Sequence, residues 1–590
     1  MFLEESVRAL VETKALVGER SAYRLAGGVQ TAQVPPTVQA ILAARIVRLS
    51  SDDKRLLQAA SVIGKDVPLS LLQAIVDLSA EELREALTRL QGAEFVYETG
   101  RSLDLEYTFK HALTQEVAYG GLLHEQRRGL HSTIVEAIET LYSDHRAEHI
   151  ERLAQHAFRG GVWKKAVGYL RQAGLKAFAR SAHREAVSWF ERALEALEHL
   201  PRTRDAVEQA IDLRFDLRNS LLPLGEHERY FGYLREAEAL ARDLDDQPRL
   251  GLVAAYICAH LYLMGDQEHA LESGQRALTI ADALGDSKVR VPVTAWIGQA
   301  YYYRGDYRRA ASFFQRNVDG LVGDLMRERF GLPQLPSVHS RTCLVWCLSE
   351  LGEFADGVRI GDQALEIARG VDHPVTLMIA YAGLGMLWTR RGDSDQAIAL
   401  LEPALELCRS WDVRLWFTRI ASALGAAYAL GGRSAEALPL LRQAVGHGES
   451  IGLMGGHSHV LGCRAEALLV AGHAHEAREV AQRAFDLSQQ YKERGYQAWA
   501  LRLLADAALH ARVPDIDDAI RDARRALEIA DELEMRPLVA RAHLVLGQSH
   551  RLAGQHTASK EHLAEATRLF HAMDMRLWAE RSESEQGALA

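Results

Sequence analysis

The chain has 590 residues, more than one compact core can organise, so several domains or a repeat array are expected. Its 69 basic and 79 acidic residues leave a net charge of −10, which excludes a bulk attraction to nucleic acid or to an anionic membrane. Five Cys give no disulfide framework and suit a reducing compartment, while only 14 Pro and 25% charged residues suit helices.

Phe2 to Val17 is predicted as a helix. Its acidic residues Glu4, Glu5 and Glu12, and the lack of a basic stretch followed by an apolar one, exclude a signal peptide. No apolar run approaches the roughly 20 residues needed to span a bilayer, so a cytoplasmic protein with no membrane partner is expected. A short hairpin follows, Ala15-Leu16-Val17 with Tyr23-Arg24-Leu25, turning through Gly18. Pro35 and Pro36 mark a helix start, because Pro fits a first turn. Helix Thr37–Leu49 is apolar at Val38, Ile41, Leu42 and Ile46. Ser51 or Asp52 caps the next helix, which runs to Ile63 and breaks at Gly64. A third helix covers Leu69–Val76. Ser79, with Glu82 three residues on, opens a fourth through a capping box, and this helix ends near Gly92. Strands Glu94–Glu98 and Leu105–Lys110 turn around Gly100. Helices followed by a β-hairpin make a winged-helix pattern over residues 35–122.

A winged helix often meets DNA through its last helix before the hairpin. That helix presents Glu81, Glu82 and Glu85 against Arg84 and Arg89, which repels phosphate, so no nucleic acid is expected. His111, in Phe109-Lys110-His111-Ala112-Leu113, falls where the last strand passes into a helix. By position it is a helix N-terminal histidine bonded to its own turn.

Four stretches together resemble a known family. They are Phe2-Leu3-Glu4-Glu5, Val34-Pro35 with Thr37 to Ile46, Leu56 to Gly64, and Phe109 to Leu113. Their order is similar to the C-terminal half of bacterial STAND-type signalling ATPases, in which a class III adenylate/guanylate cyclase domain, a P-loop ATPase domain and tetratricopeptide repeats follow one another. The resemblance implies that residues 1–34 are a lid-like helix and hairpin of the ATPase region. It also implies that His111 matches the winged-helix histidine that reads the ADP β-phosphate. The sequence departs from the family where a nucleotide would bind. The one Gly-Lys, Gly64-Lys65, is followed by Asp66, and Ala59 stands where a phosphate loop needs its first Gly. No cofactor is therefore expected in this chain, and no enzyme activity. Met1 falls inside what resembles the lid, which suggests a truncated or misassigned start or a split gene. Translating the DNA upstream of Met1 discriminates a fragment of an ATP-binding enzyme, which predicts an in-frame P-loop, from a free-standing regulatory arm, which predicts a stop codon and a ribosome site at Met1.

Residues 123–200 read as a helical connector and first repeat: Ile150–Phe158, Trp163–Arg180 and Arg184–Leu200, with Ala166, Leu170 and Ala173 echoed by Ala186, Phe190 and Ala193. Residues 201–590 then keep a beat. Turn glycines stand at Gly225, Gly265, Gly305, Gly352, Gly392, Gly432, Gly472 and Gly554, with Pro514 in place of one. Leu384-Gly385, Trp388, Gly392, Ala397, Leu401 and Ala404 return as Leu424-Gly425, Tyr428, Gly432, Ala437, Leu441 and Ala444. This is a tetratricopeptide pattern with a period near 40 residues. Each Gly ends a helix in the left-handed conformation. Asp266, Asp306 and Asp393 should cap the helix that follows. Ala270, Ala310, Ala397, Ala437 and Ala477 mark the helix crossings, where about 8–10 Å between axes admits only small side chains. Phe314, Leu401, Leu441 and Leu563 fill the hollows beside them. The fold expected is mainly α, a winged helix followed by an α-solenoid whose stability is close to nearest-neighbour.

The interval from Gly305 to Gly352 is longer than the rest, and the extra residues fall in 327–336. Arg327, Arg329 and Phe330 there could hold an acidic or aromatic ligand, in which case replacing 327–336 by a short Gly/Ser turn should leave folding intact but remove the ligand response; the alternative is a packing or hinge insertion. His339, Cys343 and Cys347 share a helical face, but structural zinc wants a fourth ligand, so buried packing is expected and no metal. His473 and His475 should face solvent. Arg127 and Arg128 are a solvated face or an interdomain contact. No Gly-x-Ser-x-Gly elbow or His-Glu-x-x-His is present. The function expected is a regulatory arm whose solenoid binds a protein, a peptide or a small inducer, with an ATPase or cyclase module as a further partner in cis or trans. The alternatives are a fragment of an ATP-binding cyclase and a winged-helix transcriptional regulator.

Overall fold

A computed structural model describes residues 37–99, 105–180, 182–371 and 373–588, together with residues 7, 10, 11, 16, 17 and 23–25. The chain divides into two compact units, residues 1–213 and 214–590. Most of the expected helix Phe2–Val17 lies outside the described residues, as do Gly18, Pro35, Pro36 and Gly100.

In the first unit, β1 (Leu16–Val17) pairs antiparallel with β2 (Arg24–Leu25). Thr37 caps helix Val38–Val47, its hydroxyl accepting from Ala40 N at 3.2 Å. The cap of helix Ser51–Ile63 is Ser50, one residue ahead of the expected Ser51 or Asp52. Its Oγ accepts from Asp53 N at 3.1 Å, and the Asp53 carboxylate pairs with Arg89 at 2.9 Å. Ser79 and Glu82 close the expected capping box on helix Ala80–Gly92. A strand absent from the sequence-based expectation, β3 (Asp66–Pro68), joins β4 (Val96–Thr99) and β5 (Glu106–Phe109) in an antiparallel sheet of order β3-β5-β4. Three residues are too few for an alternation to register. β4 starts later than expected because Glu94 takes φ 57°, outside extended geometry. Helices Ala112–Gly120 and His124–Leu141 lead to Ile150–Arg159, Trp163–Ala179 and His183–Glu198. Arg127 stacks over Tyr119 at 5.2 Å and donates to Leu122 O, and Arg128 donates to Gly160 O at 3.3 Å, so both make their contacts within the first unit.

The second unit is a solenoid of helical hairpins. Its inner helices include Gln247–Met264, Ser287–Arg304, Pro336–Leu351, Pro374–Arg391, Arg414–Leu430, His457–Val470, Arg494–Leu509 and Arg536–Leu552. All eight turn glycines have φ between 73° and 110°, where a Cβ is strained. The five crossing alanines are fully buried, as are Phe314, Leu401, Leu441 and Leu563. Each of these four large side chains nests on a glycine of the preceding inner helix. A Cβ on Gly385 would meet Leu401 at 2.5 Å, on Gly425 Leu441 at 2.5 Å, on Gly547 Leu563 at 2.6 Å, and on Gly298 Phe314 at 2.8 Å. Asp266 and Asp306 cap as expected. Asp393 stands at the cap position but turns its carboxylate to Arg391 at 2.5 Å, so it does not cap. Asp246, Asp286 and Asp515 do, the last just past Pro514.

A second turn series alternates with the glycines. Asp245, Gly285, Asp412, Gly452, Lys492, Glu534 and Asp574 all have φ between 46° and 67°. They join one hairpin to the next, and only two are glycine, so counting glycines does not find them.

Coupling along the array is not confined to neighbours, contrary to the nearest-neighbour expectation. Gly225 lies against Ile451, Gly265 against Tyr491, and Gly305 against Gly495 and Leu533. Gly352 lies against Met573 and Pro537, and Gly392 against Trp578. Successive coils of the superhelix therefore touch, and the first five turn glycines are where they touch. Lys492 pairs with Glu268 at 2.7 Å and Arg308 with Glu534 at 3.1 Å across the same seam. These ion pairs are exposed and contribute less than about 1 kcal/mol each. The close approach of the two backbones matters more. Gly305→Ala should therefore cost more than Gly432→Ala. Both residues have positive φ, which costs about 1–2 kcal/mol for Ala. A Cβ at Gly432 meets nothing, whereas one at Gly305 would lie 2.9 Å from Gly495 N. Urea unfolding should resolve an excess of about 1–3 kcal/mol. Equal costs would mean that the seam adds no stability.

The long interval holds a short turn of helix, Gly323–Arg327, before helix Pro336–Leu351. Phe330, with φ 50°, is buried in a cluster with Val291 and Leu321. Leu335 is fully buried. The expectation that a Gly/Ser turn could replace 327–336 with folding intact is thus corrected, since it would strip apolar side chains from the core.

Candidate functional site

The inner helices of the second unit enclose a cavity of about 550 Å³. The repeat register explains what lines it. Trp346, Met386, Glu466 and Gln548 each stand six residues before a turn glycine, and Glu350 and Arg390 each stand two before one. One stripe along successive inner helices thus becomes a single wall.

That wall is aromatic and ionic rather than purely apolar. Glu350 accepts from Arg390 at 2.5 Å and from Trp499 Nε1 at 3.0 Å, and the Arg390 guanidinium sits 4.0 Å from the Trp499 ring centre. Glu466 accepts from Arg541 at 2.8 Å and lies 3.3 Å from Arg502, through the same oxygen. Arg502 also donates to Asp506 at 2.6 Å. Arg541 stacks on Trp578 at 3.5 Å and Arg581 on the same ring at 4.6 Å. Burial pulls Arg541 down to about 10, aided by the charge of Arg502. For Glu466, burial would raise the carboxyl, but the charges of Arg502 and Arg541 prevail and hold it far below the ordinary range. His459 stacks on Tyr496 at 4.9 Å, and burial pulls it down to about 3. These ionic and aromatic groups can fix the orientation of a ligand that the apolar side chains hold.

Beside the cavity, Glu493 is fully buried. It accepts from Gly456 N at 2.7 Å and from Ser458 Oγ. Burial raises its carboxyl to about 7 despite these bonds. The native state therefore binds the Glu493 proton more tightly than the unfolded chain does. The stability this contributes is present below the ordinary value of 4.5 and is lost as pH rises through about 7. Glu493→Gln should unfold with less pH dependence between those values, where the wild-type slope from this group cannot exceed about 1.4 kcal/mol per pH unit. Equal slopes in denaturant titrations at several pH values would contradict this.

The residues singled out from sequence lie elsewhere. Arg327 and Arg329 are exposed, Phe330 is buried, and none of the three lines the cavity. His111, in the first unit, is the N-cap residue of helix Ala112–Gly120 but makes no side-chain cap bond, so the expected bond to its own turn is absent. Its Nε2 is buried and has no partner. His339 and Cys343 are buried, with Cys343 Sγ 3.7 Å from His339 Nε2, and Cys347 is buried beside them. Burial pulls His339 down to about 4 and pushes Cys343 up to about 12. These are packed neutral groups. Among the described residues no group of three or more His, Cys, Asp or Glu could hold a metal ion. His473 and His475 are exposed, as expected. Among the described residues no helix is long and apolar enough to cross a membrane.

No family model matches the chain. It is 31% identical over 158 residues to an uncharacterized protein of Rhizobium meliloti (strain 1021). That stretch is 27% of this chain and 15% of the relative. Similar solved structures include a Rap protein complexed with Competence and Sporulation Factor, at 14% identity and a TM-score of 0.49 over 62% of this chain and 98% of that one. Another is a STAND protein with a tetratricopeptide repeat sensor from Pyrococcus horikoshii, at 12% identity and a TM-score of 0.40 over 90% of this chain and 69% of that one. A third is the Rap conjugation gene regulator of plasmid pLS20 in complex with the Phr* peptide, at 16% identity and 0.42 over 50% of this chain and 76% of that one. With all three scores below one half, none of these likenesses bears on what this chain binds.

Proposed function

We propose that the chain is a non-catalytic regulatory and interaction arm whose solenoid holds a small inducer or a segment of peptide or protein inside its superhelix. The observation that carries this is the cavity of about 550 Å³. It falls within the roughly 300–1,000 Å³ of small-ligand sites and combines apolar walls with a few fixed charges. A neutral apolar dye, N-phenyl-1-naphthylamine, should bind the full chain saturably, and Ala426→Trp, which fills the cavity from its wall, should abolish binding. Dye binding indifferent to that substitution would remove the cavity as a ligand site.

The first unit supports the relay half of the reading. Helices Val38–Val47, Ser51–Ile63 and Ala80–Gly92 followed by the β4–β5 hairpin suit a winged helix. Arg89 is tied to Asp53, which leaves helix Ala80–Gly92 still less basic and disfavours a DNA regulator. His111 would act at an ATPase or cyclase module whose docking uncovers its buried, unpartnered Nε2 to a phosphate held there. The chain alone should then show no ATP binding by calorimetry, and micromolar binding would favour the cyclase-fragment reading instead.

A further inference from the structure

The carboxylates and guanidiniums on the cavity wall sum to zero. Arg390, Arg502, Arg541 and Arg581 stand with Glu350, Glu466, Asp506 and Glu585. All four carboxylates are engaged. Arg390 holds Glu350, Arg541 and Arg502 hold Glu466, and Arg502 also holds Asp506. Glu585 is held by Arg551 at 3.0 Å and by Gln548 at 2.9 Å. The remaining guanidinium, Arg581, stacks on Trp578 at an exposed position, where water screens its charge. Arg419 lies outside this lining, against the rings of Tyr303, Trp346 and Trp416.

Other titratable groups on the wall report how it treats a charge that has no counter-charge. His459 and Cys463 both line the cavity, with Cys463 Sγ 3.6 Å from His459 Nε2. Burial, and after it the charges of Arg390 and Arg419, pull His459 down to about 3, and burial pushes Cys463 up to about 12. Both are shifted toward the neutral form. Charge persists on this wall where an opposite charge or an aromatic ring already meets it. The remaining surface is rich in flat groups. Tyr302, Trp346, Tyr496, Trp499 and Trp578 line the cavity, and the Arg390 and Arg541 guanidiniums lie 4.0 and 3.5 Å from the Trp499 and Trp578 ring centres. Indole, phenol and guanidinium are all planar and all favour planar partners.

We infer that the cavity selects an uncharged, planar aromatic molecule, its rings lying against the Trp346, Tyr496 and Trp499 side chains. This rests on the proposed function, since it assigns the chemistry of a ligand in that same cavity. An ionised ligand would leave water for a wall with no net charge to offer. It could gain a partner there only by breaking a pair that is already made. A neutral ligand leaves every pair intact and still buries its rings.

The test is calorimetry on the full chain near neutral pH with two-ring probes. They are 2-naphthamide, 2-naphthoate, 2-naphthylmethylammonium and the saturated decahydronaphthalene-2-carboxamide. The naphthamide should bind at least ten-fold more tightly than either ion and several-fold more tightly than the saturated amide. Glu585→Gln, at a partly exposed position, leaves one positive charge in excess on the lining. Naphthoate should then gain several-fold while naphthamide is unchanged. The wild-type comparison keeps the test decisive if that variant folds poorly. Naphthamide binding no tighter than an ion or than the saturated amide, or naphthoate that gains nothing from Glu585→Gln, would overturn the inference. Naphthoate binding tightest in wild type would overturn it in favour of Arg419. If the neutral dye binds while naphthamide shows no preference, the cavity stands as a ligand site and the inference fails. Failure of the dye and all four probes would remove both.

Discussion

Glu466→Leu is expected to destabilise the 214–590 unit by about 3 kcal/mol in urea unfolding near neutral pH. That is the lower end of the range for breaking a buried ion pair, roughly 3–5 kcal/mol. The lower end applies because the Glu466 side chain is 31% exposed, facing the cavity, so water there can screen what remains. Removing it leaves two guanidiniums together, with Asp506 the one acid bonded to either. Arg502 is 1% exposed and cannot turn to solvent. Adding Arg541→Leu should recover part of the loss, because the repulsion between Arg502 and Arg541 goes with it, and a double-mutant cycle reads that recovery directly. The effect must also depend on pH with a definite sign. The native carboxyl is held below its ordinary 4.5, so its stabilisation is complete above that value and is lost as pH falls further. Wild type and Glu466→Leu should thus converge in acid, opposite to the behaviour expected of Glu493. A constant gap between pH 7 and pH 3 would mean that Glu466 acts through packing alone.

Much of this architecture was legible because a repeat states its own rules many times. The left-handed glycines and the alanine crossings each have one local cause, so the residue type reports it. The capping box at Ser79 and Glu82 is equally local. What escaped detection depends on contacts distant in sequence. β3 is three residues long and exists because Phe109 and Thr108 offer it a partner edge. The seam between coils joins residues some 226 apart, such as Gly225 and Ile451, and no periodicity within one repeat announces it. The cavity lies between these cases. Glu350, Arg390 and Glu466 interrupt inner helices at register positions where Leu430, Val470 and Ala426 stand in other repeats. Charges at a register that other repeats give to apolar side chains were a signal that aligning the repeats could have raised. The irregular interval is conspicuous in the sequence, yet its Phe330 is a core residue at a turn with positive φ.

Ala437→Glu should be the most damaging single change in the array, and where its damage spreads is informative. Ala437 is fully buried where helix Ser434–Ser450 crosses Arg414–Leu430, and Leu441 one turn on is seated against Gly425. A carboxylate there has no partner, so several kcal/mol are lost or the helix lifts off to reach water. Were the array coupled only through neighbours, faster amide exchange would be confined to the hairpins on either side. The seam makes a different demand. Helix Ser434–Ser450 runs into the turn whose Ile451 packs on Gly225 and whose Gly455 N donates to Leu263 O at 2.8 Å. Lifting the helix moves that turn and takes the bond with it. Amides near Gly225 and from Leu261 to Asp266 should therefore exchange faster in Ala437→Glu, although they lie more than four repeats away along the chain. Unchanged protection at those turns, beside lost protection at residues 394–470, would show that the coils touch without supporting one another. A melting transition identical to wild type would instead dismiss the register that places Ala437 in a crossing.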